Sequence, residues 1–247
     1  MQRRAAAVVA VATATFVAAL GPAAPALGLV APASAGILPA LASTALVNRL
    51  APLVNLRPAD VPGWQAHAIP AGAGTLSQQA TSGSVSALAG CAGTVPLGKL
   101  QFAAKMSDIF SSASGHQDLG SLVAALSTPA QMASVLRAEQ GQKLLQCLTR
   151  VVVPKMTKAL PPGAKVSVGH VSVPGMTAQS YGYRVRVDLT EGTTHLQVQD
   201  DVLGSVVGRA EAVLTFTAVS GSVPTALEAR LLRTVTGRLE AHKALVG

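Results

Sequence analysis

The chain has 247 residues, of which 49% are hydrophobic, 3% aromatic and 12% charged, with a formal net charge of +8. So few aromatics leave little for the stacking platforms that single-stranded nucleic acids require. The basic residues Lys99, Lys105, Lys143, Lys155, Lys158, Lys165, Arg184 and Arg186 are scattered along the sequence, which excludes nucleic acid as the partner and reads as a mildly basic soluble domain, with attraction to an anionic envelope as the alternative.

The N-terminus reads as an export signal. Arg3 and Arg4 supply a positive start, and Ala5 to Leu20 is apolar without a charge. Gly21, Pro22 and Pro25 then stop a helix, and Ala33-Ser34-Ala35 offers the small residues that a signal peptidase needs, with Ala24-Pro25-Ala26 as a second cleavage site. A membrane-spanning helix needs about 20 apolar residues, and this run is shorter. The spacing therefore predicts a signal peptide over 1–35 and a secreted, extracellular or cell-envelope product. No Cys follows the apolar run to carry a lipid, and no later segment is long and apolar enough to serve as a transmembrane anchor. The remainder suits one domain with a substantial core: a linker or short helix over 36–55, then a single domain over 56–247.

Within that domain, Leu56 to Trp64 carries two prolines and a glycine around Asp60 and reads as an ordered loop, with Trp64 as a core plug. Residues 70–84, rich in Gly, Ser, Ala and Gln, read as a flexible loop. A strand is expected from Leu100 to Ser114, a turn at Gly115 to Asp118, and a second strand from Leu119 to Leu126, together a hairpin. Thr128-Pro129-Ala130-Gln131 starts a helix: Thr caps and Pro fits the first helical position. Met132, Val135, Leu136, Leu144, Leu148, Val151 and Val152 then recur near helical spacing, disturbed by Pro154, until Pro161-Pro162-Gly163 ends the segment.

The second half alternates. Tyr181, Tyr183, Val185, Val187 and Leu189 interleave with Gly182, Arg184, Arg186 and Asp188, the period-two signature of a strand with one buried face. Val166 to Val173 precedes it, and His195 to Val207 and Ala210 to Ala218 follow. Connections this short demand antiparallel pairing. Thr225-Ala226-Leu227-Glu228 reads as a capping box, opening a helix with Leu227, Leu231, Val235 and Leu239 on one stripe. The fold class that results is α+β: an antiparallel β-sheet packed by two main helices.

Cys91 and Cys147 are an even pair in an exported chain, which reads as one disulfide; a metal pair would want CxxC spacing or nearby histidines. No catalytic residue, metal ligand or cofactor motif is assigned. There is no GxSxG, HExxH or phosphate-binding GxxxxGK[ST] pattern. His67, His116, His170, His195 and His242 lie in no recognisable motif. His170 and His195 fall in expected strands and could meet across the sheet. Asp200-Asp201 is an acidic doublet whose members point to opposite faces of a strand, one of them available to pair with an Arg such as Arg209.

Several of these stretches carry a family resemblance: Leu56-Arg57-Pro58-Ala59-Asp60-Val61-Pro62-Gly63, Cys147 on a helix after a Ser-Thr-Pro start, Gln199-Asp200-Asp201-Val202, Gly208-Arg209 turning into Val213-Leu214-Thr215-Phe216, and the closing amphipathic helix. Over roughly 56–243 the chain resembles secreted or envelope-anchored actinobacterial domains of the PknH-extracellular-domain-like and LpqN-like kind, though without a lipidated Cys or a kinase domain. The resemblance implies a PsbP-like α/β sandwich and supplies no catalytic residues. The function expected is a non-catalytic secreted or envelope binding or sensor-like domain for a small molecule, lipid or protein partner. The alternatives are a hydrolase whose site assembles from distant residues such as His170, His195 and Asp200, and a structural envelope protein held by charge.

Overall fold

A computed structural model describes residues 37–69, 91, 102–191 and 194–247. The expected signal peptide over 1–35 and the loop over 70–84 lie outside the described residues. In chain order the elements are α1 (Ile37–Val54), β1 (Gln65–His67), β2 (Phe102–Met106), β3 (Ile109–Ser111), β4 (Gln117–Leu126), α2 (Pro129–Glu139), α3 (Gln142–Cys147), α4 (Val153–Ala159), β5 (Lys165–His170), β6 (Ser180–Glu191), β7 (Thr194–Val207), β8 (Ala210–Val219) and α5 (Thr225–Ala241).

The strands form one eight-stranded sheet in the order β1-β3-β4-β8-β7-β6-β5, with β2 also pairing β4. Every pairing is antiparallel, and the meander β5 to β8 follows the sequence order expected of short connections. The hairpin is present too, but its first strand is broken. Met106 stands opposite Leu122 in β2, whereas Phe110 stands opposite Leu119 in β3. One extra residue is therefore inserted around Ser107 and Asp108, a β-bulge that bends the strand. The Ser107 hydroxyl accepts from the Ser121 N–H at 2.9 Å and so replaces a ladder bond.

Helices cover both faces of the sheet. On the first face lie α1 and α5. Leu46, Leu50 and Val54 of α1 and Leu231, Val235 and Leu239 of α5 bury against Leu119, Val123, Leu203, Leu214 and Phe216. Ile37–Val54 is thus an 18-residue helix with a packed stripe rather than a short lead-in, and it continues through Pro52. The Arg57 side chain donates to the Pro52 and Leu53 carbonyls at 3.0 and 2.9 Å, satisfying groups that a helix C-terminus leaves open. On the second face lie α2 to α4, whose Met132, Leu136, Leu144, Leu148, Val152 and Met156 pack on Tyr181, Tyr183, Val185, Val187, Val198 and Val202.

Two helix expectations need correction. The stripe from Met132 to Val152 is not one helix. It turns a corner at Gln140-Gly141, where Gly141 has extended backbone (φ −82°, ψ 137°). The Gln140 side chain holds the corner to the carbonyls of Ala178 and Ser180 at 2.8 and 2.9 Å. Beyond it the helix widens to a π turn at Leu148–Val152, immediately before Pro154. That turn absorbs a residue that has no N–H and whose ring would strike the carbonyl four residues back. The second correction is at Thr225, which is the first helical residue and not a cap. Glu228 consequently lies too far along to reach back to the cap, and its side chain is buried against the sheet instead. Thr128 does cap α2 as expected, its hydroxyl accepting from the Gln131 N–H at 3.2 Å.

The Cys91–Cys147 disulfide spans 56 residues and ties the segment before β2 to the end of α3. In the chain-entropy model a loop of that length contributes about 4 kcal/mol.

Candidate functional site

The alternation of β6 and β7 decides what each sheet face offers. Register places Gly169, Arg184 and Asp201 in one transverse row on the first face, and Ser167, Arg186 and Gln199 in the next. The same rows run on to Phe216 and Ala218 of β8, where the helices cover the sheet. Across β5 to β7 the first face carries a polar strip beside the start of α5, with Gln199 and Asp201 of β7 buried. Arg186 and Ser167 are exposed there and Arg184 is half-buried.

The strip is internally fixed. Arg184 grips Asp201 with two parallel bonds, Nε to Oδ1 at 2.7 Å and Nη2 to Oδ2 at 2.6 Å, the geometry that makes guanidinium–carboxylate pairs strong and directional. The Gln199 amide donates to Asp201 Oδ2 at 2.9 Å, and Arg186 Nε reaches the Gln199 carbonyl at 3.4 Å. Glu228 arrives from α5 with no solvent exposure. Burial first, and the facing Asp201 second, raise its carboxyl to about 8, with Arg184 opposing. At neutral pH Glu228 therefore keeps its proton, because ionising it would set a second buried negative charge beside Asp201. Arg184 and Arg186 are the members that a ligand can reach.

A second acidic cluster sits on the opposite face. Tyr181 donates to Glu211 and Tyr183 to the backbone carbonyl of Glu139, the last residue of α2. The Tyr181 ring has room because its cross-strand partner is Gly204. A Cβ at that position would lie 2.2 Å from the ring. Glu211 has no exposure and Glu139 6%. Burial pushes Glu211 up to about 7, less the opposing effect of the Tyr181 hydroxyl. Burial and then the facing Glu211 push Glu139 well above its usual range. The negative end of α2 works in the same direction. These groups are sealed between sheet and helix and meet no substrate as they stand.

The residues singled out for catalysis do not converge. His170 is paired with Tyr183 on β6, and His195 with Thr190. Seven residues of strand between those partners amount to about 23 Å. Asp200 shares a face with His170, while His195 lies on the other. The His170 ring stacks at 5.0 Å on Tyr183, His195 Nδ1 lies 3.2 Å from the Thr190 hydroxyl, and Thr217 donates to Asp200 at 2.6 Å. The carboxylate–arginine pairing expected of the acidic doublet exists, but with Arg184 rather than Arg209, whose guanidinium donates to the Ser127 carbonyl at 3.3 Å. Among the described residues no three His, Cys, Asp or Glu side chains converge on a metal position.

The strip was hidden in the sequence because Glu228 comes from a helix and read as a cap. The polar phases of β6 and β7 were visible, and aligning the strands would have set Arg184 opposite Asp201.

No protein-family model and no curated protein matches the chain. Among solved structures it has a weak likeness to the extracellular domain of PknH from Mycobacterium tuberculosis, with a TM-score of 0.30 and 9% identity, covering 61% of this chain and 90% of that one. It has another to LpqN, involved in cell envelope biogenesis of the same organism, with a TM-score of 0.26 and 11% identity, covering 56% and 82%.

Proposed function

We propose that the chain is exported by a signal peptide over 1–35 and acts in the envelope or outside the cell as a non-catalytic binding or sensor-like domain. Its ligand would be a small molecule, a lipid headgroup or a protein segment, met by the polar strip across β5 to β7. The observation that supports this reading is the exposed Arg186 and half-buried Arg184, held in place by the buried Gln199 and Asp201. Preorganised donors at a surface recognise a polar ligand with little ordering cost.

The test is thermal unfolding of the secreted protein against a panel of small carboxylated, phosphorylated and neutral metabolites. A ligand that binds only the folded state raises the midpoint as its concentration passes Kd. At least one compound should do so, and Arg186→Ala should abolish the shift without lowering the unliganded midpoint. Turnover of ester, peptide or glycoside substrates by the pure protein would overturn the reading.

A further inference from the structure

The chain's positive charge is not spread evenly over the fold. Between residues 129 and 170 the sequence carries Arg137, Lys143, Arg150, Lys155, Lys158 and Lys165 against a single acid, Glu139. All six cations are exposed, whereas Glu139 is buried. From 171 to 247 seven Lys and Arg face seven acids, and from 37 to 128 four face three. Lys165 alternates onto the face of the polar strip, but the other five cations belong to one layer, α2 to α4, on the opposite face of the sheet, and with Glu139 buried they make up most of the excess charge.

The helix geometry explains the concentration. Leu144, Leu148, Val152 and Met156 recur every four residues and turn to the sheet. The outward side of the same segment is left to Lys143, Arg150, Lys155 and Lys158. Lys143 to Lys158 covers about 22 Å at helical rise, enough to meet several headgroups at once. The sequence from 129 to 170 contains no Phe, Tyr or Trp. A single-stranded nucleic acid would find no stacking platform there.

We propose that this layer docks the protein on an anionic lipid surface, its lysines and arginines meeting phosphate headgroups. The choice of lipid over nucleic acid as the polyanion rests on the export proposed above; the charge asymmetry does not. Attraction of this kind acts within about 10 Å at ordinary ionic strength and is worth about fivefold in affinity for each cation near the surface.

The experiment is co-sedimentation of the secreted protein with phosphatidylcholine vesicles containing 30% phosphatidylglycerol, against phosphatidylcholine alone and against duplex DNA. The protein should pellet with the anionic vesicles at about 0.1 M salt, be released at about 0.5 M, and ignore neutral vesicles. A triple variant Lys143→Gln, Arg150→Gln, Lys158→Gln should bind roughly 100-fold more weakly. A triple of equal charge loss elsewhere, Arg49→Gln, Lys105→Gln, Lys243→Gln, should bind within about twofold of the unaltered chain. Circular dichroism checks that both triples fold, and the salt and lipid dependence of the unaltered chain stands without them. Equal weakening by both triples, equal binding to neutral vesicles, no binding at all, or tighter binding to DNA than to anionic vesicles would each overturn the proposal. The DNA result would also count against export, whereas the others would leave export and the strip untouched.

Discussion

Glu211→Gln probes the sealed carboxyl pair on the second face. Glutamine keeps the size of the side chain and the oxygen that accepts from Tyr181, and removes only the ability to ionise. In the folded protein Glu211 keeps its proton up to about pH 7, against an ordinary value of 4.5. Between those limits the folded state binds a proton that the unfolded state has released. Stability therefore falls as pH rises through that window and is level above it. At about 1.4 kcal/mol per unit, the residue lowers stability at pH 8 by about 3 kcal/mol relative to mildly acidic solution. Urea unfolding of both proteins at pH 5 and pH 8, with the disulfide intact, reads this directly. The unaltered chain should be less stable at pH 8 than at pH 5, and the variant should lose about 3 kcal/mol of that difference. Parallel pH profiles for the two proteins would show that Glu211 ionises normally and that the pair is not sealed.

Gly204→Ala should destabilise by about 1–3 kcal/mol, because the added methyl meets the Tyr181 ring and displaces its hydroxyl from Glu211; the urea midpoint measures it. Cys147→Ala should cost about 4 kcal/mol, and reductant should lower the thermal midpoint of the unaltered chain but not of the variant. Asp60→Asn should cost about 1–3 kcal/mol by breaking the paired bonds at 2.8 and 2.6 Å from Arg238. The pH dependence of Asp60 runs opposite to that of Glu211. Burial alone would raise its carboxyl, but the Arg238 hydrogen bond and the Arg57 N–H outweigh it and hold the group below its usual value. Its contribution is therefore present at neutral pH and lost as pH falls through that lowered value, so the variant should show a shallower loss of stability in acid than the unaltered chain.

Where one physical signal dominated, the sequence was readable. The alternation of Tyr181 to Leu189 gave β6 its faces, Thr128 gave α2 its start, and Leu231, Val235 and Leu239 gave α5 its buried stripe. Where two signals competed, the weaker one was lost. Leu46, Leu50 and Val54 mark an α1 stripe, but Pro52 and the alanine-rich surroundings left the segment readable as either a linker or a short helix. Gly141 interrupts a hydrophobic pattern that carries on past the corner, so the break left no mark in the periodicity. The two carboxyl pairs were invisible for another reason. Glu139, Glu211, Asp201 and Glu228 come from four elements, and acidic residues in helices and strands ordinarily face water. The basic layer looked dispersed because charge was summed over the whole chain; the excess over 129–170 is legible in the sequence, and the fold adds that Glu139 is turned inward.

The pairing of β4 with β8 sets the order in which this protein can mature. It joins Gln117 to Ala218 and Ala125 to Ala210, so the middle of the sheet is sewn from residues far apart in the chain. The hairpin of β2 to β4 lies with one edge open until the whole meander has been delivered. Long-range strand pairing is slow, and a chain that crosses a membrane N-terminus first would stay unfolded and threadable until its last strand had passed. Under the export proposed above, assembly would complete on the far side, where Cys91 and Cys147 can be oxidised.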